Sequence, residues 1–222
     1  MKKIIFFGAL ALALLFAQDA LAEAADFAGF AASVGVNFTD GGAHLYGDST
    51  DYQLGADSYR GNIDLSYSAA LTDTWLLGAG ISYDFGDAEV GSATSGASGA
   101  FQARSKLSDQ FSIYVKPSYA ITDKVAFFAK IGLHHADASY RDENGQLFSW
   151  PAGSFSQNTN SGVFGIGYGV GIMGLVTSHF FISGEISRVN FETFDVGTTQ
   201  DGSMVHETPN VTEGILSVGY KF

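Results

Sequence analysis

An alternation of period two recurs eight times in this chain, always with the same imbalance between its two faces. In "FAASVGVNF" (residues 30–38), Phe30, Ala32, Val34, Val36 and Phe38 share one face, and Ala31, Ser33, Gly35 and Asn37 share the other. Successive side chains of a strand point to opposite sides, so such a stretch is a strand with one apolar face. Ile63, Leu65, Tyr67, Ala69 and Leu71 oppose Asn62, Asp64, Ser66 and Ser68. Trp75, Leu77, Ala79, Ile81, Tyr83 and Phe85 oppose Gly78, Gly80, Ser82 and Asp84. The pattern returns from Phe111, Val125, Phe164 and Phe180, and finally in "GILSVGYKF" (214–222). Bulk collects on one face, and mostly Gly, Ala and Ser on the other.

The connections alternate in length. "TDT" (72–74), "TDK" (122–124) and "TSH" (177–179) are tight turns, whereas 39–59, 86–110, 136–160 and 190–210 are long, polar and rich in Gly, Ser and Asp. A meander with these connections has its turns and both termini at one end and four long loops at the other. An even strand number with that asymmetry is the signature of a bacterial membrane barrel. The expected fold is therefore all-β: an eight-stranded antiparallel up-and-down transmembrane barrel with short periplasmic turns and four long extracellular loops.

Which face meets which solvent follows from size. The interior of an eight-stranded barrel is just wide enough for side chains to fill. The small polar face fits there; a set built from Phe, Tyr and Ile does not. The bulky face must point outward, where lipid accepts it, and a closed sheet leaves no unpaired backbone in hydrocarbon. Aromatics near the strand ends, among them Phe30, Phe38, Trp75, Tyr83, Phe85, Phe111, Tyr119, Phe180, Tyr220 and Phe222, suit the two headgroup zones.

Residues 1–22 read as a cleaved signal peptide: Lys2 and Lys3, an apolar core from Ile4 to Ala17, then Ala20-Leu21-Ala22. The apolar run is shorter than the ~20 residues of a spanning helix. The barrel then occupies 23–222, with nine basic against 22 acidic residues and a formal charge of −13. That sign disfavours nucleic acid, whose phosphates require a basic patch. There is no cysteine, so an exported chain must hold together without disulfides.

Parity places several charges inside. Lys116 and Lys130 lie symmetrically about the turn at Asp123 and nearly opposite one another. Two adjacent like charges need carboxylates. Glu185, seven residues beyond its own turn centre Ser178, falls at a comparable height. The strand between offers only glycine, so Glu185 has a path to Lys130. Asp64, Asp84 and Glu213 are further inward candidates. Two readings stay open: a lumenal ion-pair network closing the barrel, and a hydrated lumen with loosely paired charges.

"VKPSYAITDKVAFFAKIGLHHADASY" (115–140) resembles the central hairpin of the OmpA-like transmembrane domain, with a Lys before an "ITD" turn and a basic residue on the next strand. "GVGIMGLVTSHFFISGEISRVNF" (169–191) resembles the next hairpin, including an acidic residue carried by Glu185, and "EGILSVGYKF" the closing strand. Small barrels of the opacity, attachment and OmpX type share the outline. The resemblance implies an outer-membrane barrel of a Gram-negative bacterium, with Lys116, Lys130 and Glu185 at interior ion-pair positions. It also implies that Leu216, Val218, Tyr220 and Phe222 form the signal read by the barrel-assembly machinery. Two departures are visible: Met173 stands near a place where the family has an acidic residue, and no peptidoglycan-binding domain is expected after Phe222.

No catalytic, cofactor or metal site is expected. His134 points inward and His135 outward, so the pair does not converge on one metal. "HADAS" (135–139) contains a His and a Ser, but nothing specifies a converging hydrolytic triad. "DENGQ" (142–146) lacks the bidentate Glu of a calcium loop. The glycines of 165–171 follow strict alternation and lack the Lys-Ser/Thr of a phosphate loop. The expectation is a monomeric, non-enzymatic surface barrel held in bilayer and lipopolysaccharide, meeting an extracellular partner through its loops. The alternative is a narrow channel for small solutes, and a lipid-modifying enzyme ranks below both. Tyr46, Tyr52, Phe101, Trp150, Phe155 and Phe194 are expected to pack the loops together.

Overall fold

The computed structural model describes residues 23–47, 50–95, 101–142, 158–198 and 204–222. Ten strands follow in order: β1 (Gly29–Gly47), β2 (Thr50–Ala70), β3 (Trp75–Phe85), β4 (Ala88–Ser95), β5 (Phe101–Ala120), β6 (Val125–Asp142), β7 (Asn158–Leu175), β8 (Phe180–Phe191), β9 (Phe194–Thr198) and β10 (Met204–Lys221). They form eight staves, because β3 and β4 are one stave broken at Gly86-Asp87 and β8 and β9 one broken at Glu192-Thr193. Gly86 has φ +101°, a backbone conformation that glycine alone adopts without penalty. All neighbours are antiparallel, and β1 pairs with both β2 and β10, so the sheet closes: Val34 faces Ile63 on one side and Val218 on the other.

The three tight turns share one device. The hydroxyls of Thr72, Thr122 and Thr177 each accept the backbone N–H three residues on, from Trp75, Val125 and Phe180, at 3.0 Å. A Thr side chain thereby takes the place of a backbone acceptor in the turn.

At membrane height the outer face carries Phe30, Val36, Tyr59, Leu65, Trp75, Ile113, Leu133, Ile166, Phe180, Leu216 and Phe222, all exposed. Only acyl chains tolerate a continuous belt of that kind on a barrel wall. Phe30–Tyr67, Trp75–Tyr119 and Phe180–Tyr220 pack ring against ring at its lower edge, with centroids 4.7–5.1 Å apart.

The strands do not stop at the belt. They continue through most of the stretches read from sequence as loops, and there the faces exchange character. On β1 the outward series Phe30 to Phe38 gives way to Asp40, His44 and Tyr46, while the inward series Ser33, Asn37 and Thr39 gives way to Ala43 and Leu45. Above the bilayer the wall faces water, so its apolar side must turn inward. Leu45, Val90, Leu107, Tyr140, Val163, Phe194, Val205 and Val211 form a buried core in the extracellular half of the barrel. Phe194 thus packs as expected, whereas Tyr46 lies outside against His206, with ring centroids 5.5 Å apart. Trp150 and Phe155 lie outside the described residues, as do the side chains of Tyr52 and Phe101 and most of 142–146.

Two local features make the phase change work. On β5 the residue Asp109 (φ +50°) forms a bulge, so the inward set Gln110, Ser112 and Tyr114 becomes Ser105 and Leu107 above it. On β1 the inward Gly41 lets β4 lean across the lumen. A Cβ there would strike the carbonyl oxygen of Glu89 and lie 2.7 Å from the Cα of Val90. At the other end a 3₁₀ turn, Ala24–Phe27, tucks beneath the barrel. Ala24 and Phe27 are buried with Leu76, Ala120 and Ala126, the Ala24 N–H donates to the Asp73 carbonyl at 2.7 Å, and Lys221 Nζ donates to the Asp26 carbonyl.

Candidate functional site

The lumen at membrane height is the place where polar and charged side chains converge. Its geometry begins with β7, whose inward residues from Gly165 to Gly171 are all glycines. Neighbouring side chains lie across them: His134 over Gly167, Glu185 and Ser187 over Gly169, and Phe128 over Gly171. The glycine run therefore supplies space.

The register pairing Val115 with Ile131 sets Lys116 opposite Lys130. Lys130 Nζ reaches across β7 to Glu185 Oε2 at 3.2 Å, and also stands 4.3 Å from the centroid of the Tyr114 ring. Tyr114 donates its hydroxyl to Asp64 Oδ2 at 2.5 Å. Lys116 has no carboxylate within 4 Å among the described residues; its Nζ lies 5.6 Å from the centroid of Phe128. Between these groups remains a cavity of about 30 Å³, lined among others by Asp64, Lys116, Lys130, Met173, Glu185 and Ser217. That is room for about one water. Met173 forms part of this cavity's wall.

Asp84 and Glu213 belong to a second cluster, nearer the outside, built on Arg60. Arg60 Nη2 binds Glu213 Oε1 and stands 3.8 Å from Asp84 Oδ2, Nη1 donates to Gln110 Oε1 at 3.1 Å, and Nε donates to Thr39 Oγ1 at 3.3 Å. Asn62 Nδ2 donates to Asp84 at 2.7 Å, and Asn37 Nδ2 donates to Glu213 at 3.1 Å. Gln110 Nε2 lies 3.3 Å from His134 Nδ1 and joins this cluster to the β6 wall. Six predicted charges thus fall into two groups, with Lys116, Lys130, Glu185 and Asp64 in one and Asp84 and Glu213 in the other. Arg60, Asn37 and Gln110 carry the second group and had no assigned role in the sequence reading. Arg60 shares the parity of Asn62 and Asp64, which was the available signal.

A further carboxylate lies in the apolar extracellular core. Glu207 is completely buried and accepts from Ser105 Oγ with one oxygen, while its Oε2 has no hydrogen-bond partner among the described residues. Burial pushes its carboxyl up to about 7. His135, Asp137 and Ser139 stand in a row on the outer face of β6, and His135 packs on the Phe164 ring at 4.9 Å. Each step along that row spans ~7 Å, and no hydrogen bond joins the three. Among the described residues no three His, Cys, Asp or Glu side chains group as metal ligands.

A closed antiparallel sheet, greasy outside at one height and polar within, is a transmembrane β-barrel. The outer membrane protein beta-barrel domain profile matches residues 7–222, and the chain belongs to that family and to the bacterial outer membrane. Curated protein sequences yield no match. Among solved structures, the outer membrane protein OprG from Pseudomonas aeruginosa is 11% identical, with 92% of this chain and 99% of that one covered and a TM-score of 0.51. The attachment invasion locus protein Ail of Yersinia pestis is 16% identical, with 88% and 99% covered and a TM-score of 0.46. Neisserial surface protein A is 10% identical, with 87% and 97% covered and a TM-score of 0.44. At 11% identity the likeness to OprG is one of fold.

Proposed function

We propose that this protein is a non-enzymatic, non-conducting outer-membrane barrel whose rigid extracellular half serves envelope integrity or adhesion. The observation that carries the reading is the filling of the lumen at three levels. Phe27 and its neighbours occupy the periplasmic mouth, the Lys130 and Arg60 clusters the middle, and the Leu45–Leu107–Val205 core the top. A solute path must breach all three, and the cavity beside Lys116 and Lys130 measures only about 30 Å³. The apolar core also supports a surface role, because it stiffens the wall that holds the loops outward, and loops are where binding residues concentrate.

The wild-type protein in planar bilayers is expected to show no discrete openings; regular single-channel steps would favour the solute-channel reading instead. Incubation with lipid A and phospholipid is expected to release no acyl chain. Deleting the four loop tips one at a time, followed by surface-adhesion and detergent-sensitivity assays, is expected to abolish adhesion or integrity with at least one deletion. We further propose that Leu216, Val218, Tyr220 and Phe222, all outward on the strand that closes the barrel, are read by the barrel-assembly machinery. Replacing Phe222 with Ser is expected to lower the folded fraction in cells but not after refolding in detergent.

A further inference from the structure

Arg188 occupies the first polar position above the lipid belt on β8, directly after the outward series Phe180, Ile182 and Ile186. Its guanidinium is fixed against the wall by three neutral oxygens. Nε donates to Asn190 Oδ1 at 3.3 Å, Nη1 to Thr212 Oγ1 at 3.3 Å and Nη2 to Asn210 Oδ1 at 3.0 Å. Arg60, Lys106 and Lys130 each lie within ion-pairing distance of a carboxylate; Arg188 has none within 4 Å among the described residues. Of its five N–H groups three are spent, which leaves one on each terminal nitrogen. The result is an uncompensated, preoriented fork at the boundary between hydrocarbon and headgroups.

The wall beneath it is low. Ile186 pairs with Gly214, and Gly184 with Leu216, so two outward positions below Arg188 carry no side chain. A bound acyl chain can lie in that dip while its headgroup meets the guanidinium. Arg matches phosphate in a planar, two-pronged way that Lys cannot reproduce. At the edge of hydrocarbon such a charge pair is far less screened than in bulk water.

We propose that Arg188, with Asn190, Asn210 and Thr212, forms a site for a phosphate group on the headgroup of an outer-leaflet lipid of the lipopolysaccharide class. The test is lipid retention by the detergent-solubilised full chain, followed by native mass spectrometry. The probes are bisphosphorylated lipid A, the same lipid without its phosphates, phosphatidylglycerol and inorganic phosphate. Wild type is expected to retain the phosphorylated lipid A about tenfold better than the dephosphorylated form, the scale of one charge-assisted contact. Arg188→Gln should erase that difference, and Arg188→Lys should restore part of it. Folding of both variants is checked by heat-dependent gel mobility, and the lysine variant keeps the test informative if the glutamine variant folds poorly. Equal retention of both lipid A forms, or unchanged retention by a folded Arg188→Gln variant, overturns the site. Equal retention of phosphatidylglycerol, or displacement by equimolar inorganic phosphate, overturns the assignment to lipopolysaccharide.

Discussion

Lys130 and Glu185 sit on strands that do not touch, yet their charged ends meet at 3.2 Å across the glycine floor of the strand between them. Both side chains are nearly excluded from solvent. Losing one partner of such a pair leaves the other charge buried alone, at about 3–5 kcal/mol. Lys130→Met is therefore expected to lower the unfolding free energy of the barrel in lipid vesicles, measured by urea titration, by that margin. The double variant Lys130→Met, Glu185→Leu should recover most of the loss. A Lys130→Met barrel as stable as wild type would mean a hydrated lumen in which the pair contributes little.

Arg60 makes a second, separable claim. It holds Asp84 and Glu213 together, and Arg60→Met would leave two buried carboxylates side by side. The expected loss is again about 3–5 kcal/mol, partly restored by adding Glu213→Gln. Because Arg60 and Lys130 bind different carboxylates, the losses of Arg60→Met and Lys130→Met should add within about 0.5 kcal/mol. A larger coupling energy would show that the two clusters act as one network.

The belt, the turns and the inward positions of Lys116, Lys130 and Glu185 were legible in sequence because they depend on one rule, period-two alternation with a constant outer phase. The extracellular core was not, because that phase reverses where the solvent outside changes from lipid to water. Phe38 is the last outward apolar residue of β1 and Ala43 the first of the inward apolar series, so the stretch between reads as an unpatterned loop. Val205, Glu207 and Val211 are hidden in the same way. Asp109 adds a second obstacle, since one bulged residue moves Leu107 onto the opposite parity from Ser112. Arg60 was missed because it has no turn-centred partner; nothing in its own strand names Glu213, which is 153 residues away.

Gly41 tests how the top of the barrel is closed. Its hydrogen is all that separates the β1 wall from the β4 backbone. Gly41→Val is expected to push β4 out of the lumen while the membrane-height barrel persists. Limited proteolysis of folded protein should then cut the β4–β5 hairpin, with heat-dependent gel mobility unchanged. A variant as resistant as wild type would show that β4 is not held by this contact.

Glu207 gives the extracellular half a pH dependence of definite sign. Its folded carboxyl is raised to about 7 by burial, against the ordinary range near 4.3 in an unfolded chain. The folded state therefore holds a proton that the unfolded state releases. This contribution to stability is fully present below about pH 4.3 and falls as pH rises, until the folded carboxyl also ionises near 7. The full difference is of order 4 kcal/mol, at about 1.4 kcal/mol for each unit of pKa. Glu207→Gln keeps the shape and removes the titration. Unfolding followed from pH 5 to pH 8 should show wild type losing stability relative to Glu207→Gln as pH increases, with the gap levelling off above 7. The comparison isolates Glu207, because every other group titrates alike in both proteins. Parallel curves would mean that Glu207 is solvated and that the apolar core above the membrane is not dry around it.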